Sequence, residues 1–272
     1  MKMKKFFFTA VVATSLLSMV SCNKFNDDNQ SDTEDALRME MEDADYLTEE
    51  EIASNPCVHD FATLLAPCAL VTESSSTFPK TITIDYGTGC ADAKGRLKKG
   101  KVIIDISGDM RVQGHTRTVT FENFYINDVK IEGSRNAENT GPNTAGNMVI
   151  KISGDITATN QDHSRSMNFT RYREWVSGIS TCEIIDDEFH VTGSGTVTGR
   201  RGIDVPYVIT EKIVLTPGTC KYPLSGKIDI GSSSRGVVIN FGNGTCDNIA
   251  EATIKRRNKT VQIDLDTRKI IN

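Results

Sequence analysis

A short run rich in arginine and aromatic residues carries the most suggestive chemistry in this sequence. It reads NFTRYREWV, from Asn168 to Val176. If this run is a strand, alternate side chains share a face. One face then carries, in order, Phe169, Arg171, Arg173 and Trp175. Guanidinium groups between aromatic rings can stack on them and bind a carboxylate, a phosphate or a sugar.

We therefore predict a ligand-binding surface at Arg171, Arg173 and Trp175. Such a surface requires these side chains to be exposed and adjacent, with Phe169 or Tyr125 extending an apolar floor. The alternative is a ladder in which the arginines pair with acids across neighbouring strands of a solvated face.

A second cluster of titratable residues follows in the run CEIIDDEFH. It contains Glu183, Asp186, Asp187, Glu188 and His190. Two carboxylates that face each other across a cleft could hydrolyse a glycoside. Adjacent acids before a strand point in alternate directions, however, which favours a solvated loop. Glycan hydrolysis is therefore the least supported of the functions that we consider.

Other motifs typical of catalysis or metal binding are missing from the sequence. The four histidines form no His-Glu-x-x-His pair, and no Gly-x-Ser-x-Gly turn holds a nucleophile. Cys57 and His59 are close, but no second ligand pair with zinc spacing accompanies them. The glycines between Gly193 and Gly199 have the wrong spacing for a dinucleotide loop and indicate bulges or close backbone contacts in a strand. We therefore predict a protein that is not an enzyme, with no catalytic residue, no cofactor and no metal site.

The beginning of the chain has the pattern of a bacterial lipoprotein signal. Lysines at positions 2, 4 and 5 precede an apolar stretch, Phe6 to Val20, which is short for a membrane-spanning helix. Ser21 and Cys22 follow it, and the thiol of such a cysteine is acylated, for example with palmitate. We predict that residues 1–22 are a lipoprotein signal peptide and that acylated Cys22 anchors the protein to a membrane. The alternative is an ordinary signal peptide that is cleaved elsewhere.

Residues 23–55 form a strongly acidic segment. Between Asn23 and Glu51 there are twelve acidic residues and two basic ones, a net charge of −10. Such a run buries little apolar surface, so we expect a flexible tether with a reach on the order of 30 Å. The rest of the chain is close to neutral, so we do not expect nucleic acid as a partner.

The remaining six cysteines predict three disulfides in an exported protein. A turn motif occurs twice, as TITIDYGTGCAD from Thr81 and as VVINFGNGTCDN from Val237. Each copy contains a cysteine after its glycine turn, and a further cysteine precedes each copy. We predict the bridges Cys68–Cys90 and Cys220–Cys246, which leaves Cys57–Cys182 by elimination. We also expect the turn glycines to have positive φ; these are Gly87, Gly89, Gly242 and Gly244.

From about Thr81 onward, short segments of alternating apolar and polar residues are separated by turn signals. The predicted strands are Val102–Val112, Val119–Tyr125, Val129–Glu132, Met148–Thr157, Ser166–Val176, Phe189–Thr198, Val205–Leu215, Leu224–Ile230, Val237–Phe241, Ala252–Ile254 and Val261–Leu265. We interpret the polar run SRNAENTGPNTAGN as a turn. Residues 56–272 are thus predicted to be an all-β domain with a related motif near each end. The predicted architecture is an antiparallel meander that forms a strongly curved sheet or an incomplete barrel; two sandwich domains are the alternative.

Several of these segments together resemble a known family. FPKTITIDYGTGC, RYREWVSG, VTGSGTVT, YVITEKIVL, CKYPLSGKIDI and INFGNGTCDNIA are similar to segments of uncharacterised secreted lipoproteins of the Bacteroidota. The resemblance covers most of the chain from Phe78 to Leu265 and implies an exported all-β protein, but no catalytic residues. In lipoproteins of that phylum, acids shortly after the acylated cysteine resemble a signal for surface display, which Lys24, Asp27 and Asp28 approximate. We therefore expect a lipid-anchored protein of the outer membrane, displayed at the cell surface.

Three functions remain on these grounds. The first is a non-enzymatic binding or structural module of the cell envelope, attached to the membrane through its lipid, with a glycan or an envelope protein as partner. The second is a periplasmic carrier of an acylated ligand, which would require a continuous apolar concave face. The third is a glycan hydrolase that uses the acids near Asp186.

Overall fold

The computed structural model describes residues 66–92, 95–161, 163–266 and 269–271 of the 272-residue chain. The expected signal peptide, the acidic tether and Cys57 lie outside the described residues. The described strands are β1 (Leu70–Glu73), β2 (Lys80–Asp85), β3 (Cys90–Ala91), β4 (Leu97–Ile106), β5 (Thr116–Ile126), β6 (Val129–Pro142), β7 (Met148–Thr159), β8 (Ser164–Ser177), β9 (Glu188–Thr198), β10 (Asp204–Leu215), β11 (Ser225–Gly231), β12 (Gly236–Asn243), β13 (Ile249–Ile254), β14 (Lys259–Asp264) and β15 (Lys269–Ile271). Two short 3₁₀ turns, Ile184–Asp186 and Lys255–Arg257, lie between strands. The described protein is therefore all-β, as predicted.

All fifteen strands belong to one antiparallel sheet. Nearly every strand pairs with its neighbours in sequence, so the order runs from β1 and β2 through β4 to β15, while the short β3 pairs with β4. Strands β1 and β15 are the two edges, and the described strands do not close into a barrel. The predicted antiparallel meander is confirmed, as a single open sheet rather than two sandwich domains.

One face of this sheet is buried across most of its width, and we call it the inner face. Alternate residues of each long strand lie on it, for example Ile104 in β4, Ile152 in β7 and Val197 in β9. The buried apolar residues form one continuous cluster that extends from Ala66 to Ile263. Between β4 and β12, every pair of neighbouring strands except β7 and β8 has a register shift, which gives seven irregular pairs. Bulges of this kind bend and twist a sheet. The sheet therefore curves around its own core.

The opposite, outer face is polar and solvated. Ion pairs join neighbouring strands there, such as Lys101 with Glu122 at 3.6 Å and Lys227 with Glu211 at 2.7 Å. Exposed pairs of this kind contribute little to stability, so the inner face must supply most of the stabilisation.

Loops at one end of the sheet contact each other although their hairpins are not adjacent. Arg111, in the loop between β4 and β5, donates from Nη1 to the carbonyl of Thr181 at 3.4 Å. Thr181 belongs to the loop between β8 and β9, so β6 and β7 separate the two hairpins. The side-chain amide of Asn139 holds the first loop by donating to the carbonyl of Met110 at 2.9 Å. These contacts bring the end of the inner face under two loops.

The repeated turn motif lies near each side of the sheet. In the first copy Ile82, Ile84 and Tyr86 are all buried on the inner face, as period-two spacing predicts. Three of the four turn glycines have positive φ: Gly87 at 59°, Gly242 at 97° and Gly244 at 109°. The copies then differ, because the two-residue β3 follows the first turn whereas the six-residue β13 follows the second.

Two of the predicted disulfides are present. Cys68 is bonded to Cys90, and Cys220 is bonded to Cys246. Cys182 is also disulfide-bonded. Its predicted partner, Cys57, lies outside the described residues, so that pairing remains a prediction.

The structure shifts the bounds of several predicted strands, and two strand ends move by more than five residues. The run interpreted as a turn, SRNAENTGPNTAGN, continues β6 as far as Pro142, and the loop is confined to residues 143–147. The predicted strand Val102–Val112 instead ends at Ile106. The first error arose because the inward residues of β6 include Arg135 and Asn139, so a buried face has the polar composition of a turn.

Candidate functional site: the arginine-lined inner face

Strand β8 places the predicted ligand-binding residues on the inner face. Phe169, Arg171, Arg173 and Trp175 share this face, as their spacing predicts. Arg171 and Arg173 are buried, at 4 % and 9 % exposure, instead of lying at the surface as the prediction required. Tyr125, on β5, is not part of the group, because its ring lies beneath the ammonium of Lys99 of β4.

Among the described residues, the positions directly opposite Arg171 and Arg173 in the neighbouring strands carry no acids, as the alternative ladder would require. Across the sheet, Arg171 faces Ile152 and Gly193, while Arg173 faces Ile150 and Val191. The arginines instead contact aromatic rings, which is the stacking that the sequence suggested.

Arg171 is held between two aromatic residues. Its guanidinium carbon lies 4.7 Å from the centroid of the Phe169 ring, and its Nη2 donates to the hydroxyl of Tyr207 at 3.2 Å. Glycines make room for both rings: a Cβ at Gly154 would lie 2.4 Å from the Phe169 ring, and one at Gly195 would lie 2.7 Å from the Tyr207 ring. Both rings therefore pack directly against the backbone of a neighbouring strand.

Arg173 and Trp175 form a second group at the end of the inner face. The guanidinium carbon of Arg173 lies 4.5 Å from the Phe189 ring centroid, and the Trp175 ring lies 5.1 Å from the same ring. The indole Nε1 of Trp175 donates to Asp187 at 3.0 Å. The half-buried Trp175 thus connects the buried arginine to the loop between β8 and β9.

Burial shifts the titration of both charged groups in this second group. Burial lowers the pKa of Arg173 to about 10, although the charge of Asp187 opposes this change. Burial also raises the pKa of Asp187, an effect that is partly offset by the hydrogen bond from Trp175 and by the charge of Arg173. Burial thus disfavours the charged form of both side chains. A group of opposite charge that lies close to either one favours its charged form.

The sequence interpretation missed three further arginines on the inner face. With the two already described they form the arginine cluster, which consists of Arg117, Arg135, Arg165, Arg171 and Arg173. Four residues are directly opposite one another in consecutive strands: Arg117, Ala137, Ile152 and Arg171. The ends of this row are three strand spacings apart, about 14 Å. Arg135 occupies the next inward position of β6, so three arginines lie in one compact region of the face.

A lysine extends this cationic character towards the edge of the sheet. Lys98 is 1 % exposed; its Nζ lies 3.6 Å from Asp92 and 5.3 Å from the Tyr86 ring centroid. Burial alone would raise the pKa of Asp92, but hydrogen bonds from Arg96 and the charges of Arg96 and Lys98 outweigh it and lower that pKa. Asp92 is therefore a carboxylate that holds a buried cation in place.

The acids of the second predicted cluster have separate partners. Asp186 accepts a hydrogen bond from the hydroxyl of Thr181 at 2.9 Å, whereas Asp187 accepts one from Trp175. Glu188 lies 2.8 Å from Nε2 of His190. The three carboxylates thus do not converge on one point. Across the described residues, no group of three or more histidine, cysteine or acidic side chains could hold a metal ion.

Comparison of this chain with models of protein families, with curated proteins and with solved structures gives no match. Within the part of the chain that the structure describes, no helix has the length and hydropathy needed to span a bilayer.

Proposed function

We propose that this protein is a non-enzymatic lipoprotein of the cell envelope that binds an anionic glycan at its inner face. The observation that supports this proposal is the arginine cluster on the inner face of the curved sheet, in which the guanidinium groups of Arg171 and Arg173 lie against aromatic rings. Arginine binds carboxylate and sulfate groups through directional pairs of hydrogen bonds. Aromatic rings such as Phe169 and Tyr207 can pack against the apolar face of a sugar.

The composition of the inner face favours this function over an acyl carrier. A carrier of an acylated ligand requires a continuous apolar concave surface. Arginines on β5, β6 and β8 interrupt the apolar surface of the described inner face. Charged groups there would be desolvated against an acyl chain, which is costly, whereas an anionic ligand would pair with them.

Binding of acidic oligosaccharides by the full mature chain tests this proposal. We expect sulfated and uronate oligosaccharides to bind, and neutral ones of the same length to bind at least about tenfold more weakly, since each charge-assisted hydrogen bond contributes roughly 1.5–3 kcal/mol. Arg171→Met should remove most of this affinity. Tyr172→Ala is the matched control, because Tyr172 is adjacent in sequence but points to the outer face. Equal binding by neutral and acidic oligosaccharides would contradict the proposal.

The double variant Arg173→Ala with Trp175→Ala separates a binding role from a structural one. If the second group contributes to the site, this variant should lose acidic-oligosaccharide binding while its melting temperature stays near that of the parent. A variant that melts far below the parent would identify Arg173 and Trp175 as structural residues and leave Arg171 as the residue to which the binding is assigned.

A further inference from the structure

The loops at the two ends of the sheet carry opposite charges. At one end, the hairpin loops 199–203, 232–235 and 255–258 contain six basic residues and no acid. At the opposite end, the five loops that follow β4, β6, β8, β10 and β12 contain five acids and two basic residues, histidine aside. The whole chain has a net charge of −5, so the sign of the basic loops is opposite to that of the protein.

The three basic hairpin loops are neighbours in the sheet. Because β10 pairs with β11 and β12 pairs with β13, the loops lie side by side over four strand spacings, about 19 Å. The ammonium of Lys255 joins two of them, since it pairs with Asp229 of β11 and donates to the carbonyl of Ser232 at 3.1 Å. We call the basic residues of these loops, with Lys259 at the start of β14, the basic rim; they are Arg200, Arg201, Arg235, Lys255, Arg256, Arg257 and Lys259.

The basic rim is exposed and lies beside an apolar side chain. All of its members except the half-buried Lys255 are exposed. Ile203, in the loop with Arg200 and Arg201, is 45 % exposed although it is aliphatic. This combination suits a membrane surface, where cations contact phosphate headgroups and an apolar side chain enters the headgroup region.

The described chain begins at the same end of the sheet as the basic rim. Cys68 is bonded to Cys90, Cys90 pairs with Lys98, and Lys98 pairs with Ile126 at the end of β5. Because neighbouring strands alternate in direction, the hairpins that follow β5, β9, β11 and β13 all lie at this end. In the proposed lipoprotein, the chain that carries the lipid at Cys22 therefore enters the described domain on the side of the basic rim.

We propose that the basic rim docks the domain on a membrane surface whose lipids carry anionic phosphate headgroups. The contribution of the lipid anchor to this orientation rests on the proposed function, whereas binding of the basic rim to lipid does not depend on it. The acidic loops at the opposite end are repelled by the same headgroups, so docking gives the domain one orientation. The group formed by Arg173, Trp175 and Phe189 then lies at the end that faces away from the membrane.

Vesicle sedimentation with the full mature chain, prepared without its lipid, tests the proposal. The chain should bind vesicles of equimolar phosphatidylcholine and phosphatidylglycerol at least about tenfold more tightly than vesicles of phosphatidylcholine alone. Each basic residue near an anionic surface contributes about fivefold to binding, and added salt should weaken the interaction. The net negative charge of the protein by itself predicts the reverse preference. Equal binding to both kinds of vesicle, or binding to neither, would overturn the proposal.

A rim-neutral variant assigns the binding to the basic rim. It combines Arg235→Gln, Arg257→Gln and Lys259→Gln, all at exposed positions. Its affinity for the equimolar vesicles should fall by at least about tenfold. The fluorescence of Trp175, the only tryptophan in the chain, reports that the fold is retained.

A matched control removes the same number of positive charges away from the basic rim. It combines Lys151→Gln, Lys212→Gln and Lys221→Gln, which are exposed positions on β7, on β10 and in the loop after β10. This control should bind the equimolar vesicles within about twofold of the parent. An equal loss in the control and in the rim-neutral variant would overturn the proposal, because overall charge would then explain the binding.

Ile203→Ser decides the case if the rim-neutral variant does not fold. The substitution leaves the charge unchanged and removes the apolar side chain that enters the headgroup region, so binding to the equimolar vesicles should weaken by about fivefold. Unchanged binding by this variant would contradict the docked orientation.

A sulfated tetrasaccharide distinguishes the basic rim from the inner face. It should bind the rim-neutral variant as tightly as the parent, since its proposed site contains Arg171. If its affinity falls together with that for vesicles in the rim-neutral variant, the basic rim takes soluble polyanions and membrane docking is overturned. If the vesicles bind as expected but the tetrasaccharide binds neither chain, the docking surface stands and the proposed glycan site is refuted.

Discussion

At the scale of single residues, the protein places cations where apolar side chains are expected and surrounds them with specific partners. Arg171 contacts the ring of Phe169 and the hydroxyl of Tyr207, and Lys98 lies beside Asp92. These contacts combine packing of the long side chains with compensation of charge. Removing one partner of such a group therefore costs more than removing an exposed ion pair.

Asp92→Asn tests this statement at the best-defined pair. The substitution removes the carboxylate that lies 3.6 Å from the buried ammonium of Lys98, so the free energy of unfolding at pH 7 should fall by about 3 kcal/mol. Denaturant unfolding measures this change, and Asp92→Asn combined with Lys98→Met should recover much of it. A loss below about 0.5 kcal/mol, the size expected for a surface pair, would contradict the assignment.

The same variant has a defined dependence on pH. The pKa of Asp92 is lowered in the folded state from its ordinary value of 3.8, so the carboxylate stabilises the fold above that value. This stabilisation is lost as the pH falls through the lowered folded-state pKa. The difference in unfolding free energy between parent and Asp92→Asn should therefore be constant near neutral pH and shrink below pH 3.8.

At the scale of strands, the architecture depends on glycines that let neighbouring strands and rings approach closely. A Cβ at Gly195 would lie 2.6 Å from the carbonyl oxygen of Asn168, in addition to its collision with Tyr207. The glycines of this run were interpreted from the sequence as marks of close backbone contact, and the structure agrees. They also keep the Tyr207 ring within reach of Arg171.

Gly195→Ala should therefore destabilise the protein and disturb the site together. The added methyl group must displace a backbone carbonyl or the Tyr207 ring, so we expect the free energy of unfolding to fall by about 1–3 kcal/mol. Ser194→Ala, an adjacent change on the exposed face, should alter it by less than about 0.5 kcal/mol. Equal stability of the two variants in thermal or denaturant unfolding would show that the close approach is not required.

The sequence predicted the all-β class, the antiparallel meander, two disulfides and the shared face of Phe169, Arg171 and Arg173. These predictions succeeded because period-two spacing and repeated turns are local signals. It did not predict that the arginines are buried, because burial depends on how the whole sheet curves. The missed extension of β6 has the same cause, since Arg135 and Asn139 are polar residues at inward positions. Arginines recurring at inward spacing in β8, at 165, 171 and 173, were the available signal.

At the scale of the whole molecule, the proposed account joins three parts of one chain: a lipid anchor, an acidic segment and a curved sheet with a cationic inner face. The charge is unevenly distributed along the chain, because residues 23–51 carry a net charge of −10 whereas the whole chain carries −5. The anchor and the segment lie outside the described residues, so their roles are tested in cells.

Cys22→Ala tests the anchor. Because acylation of this thiol is the expected attachment, the variant should leave the membrane fraction and appear in the soluble fraction, as measured by fractionation and immunoblotting. Cys57→Ala serves as a control for the loss of a different cysteine. Protease treatment of intact cells should remove the wild-type domain if it is displayed at the surface. Retention of Cys22→Ala in detergent-extracted membranes would refute acyl anchoring.

The most direct test of the central claim, that the inner face binds anions, observes the arginine side chains themselves. In ¹⁵N NMR spectra of the full mature chain, the Nε–H signals of Arg135 and Arg171 should shift during titration with a sulfated tetrasaccharide. The signals of exposed Arg200 and Arg201 should stay in place. Shifts confined to exposed arginines, with the Arg135 and Arg171 signals unchanged at saturation, would contradict the account.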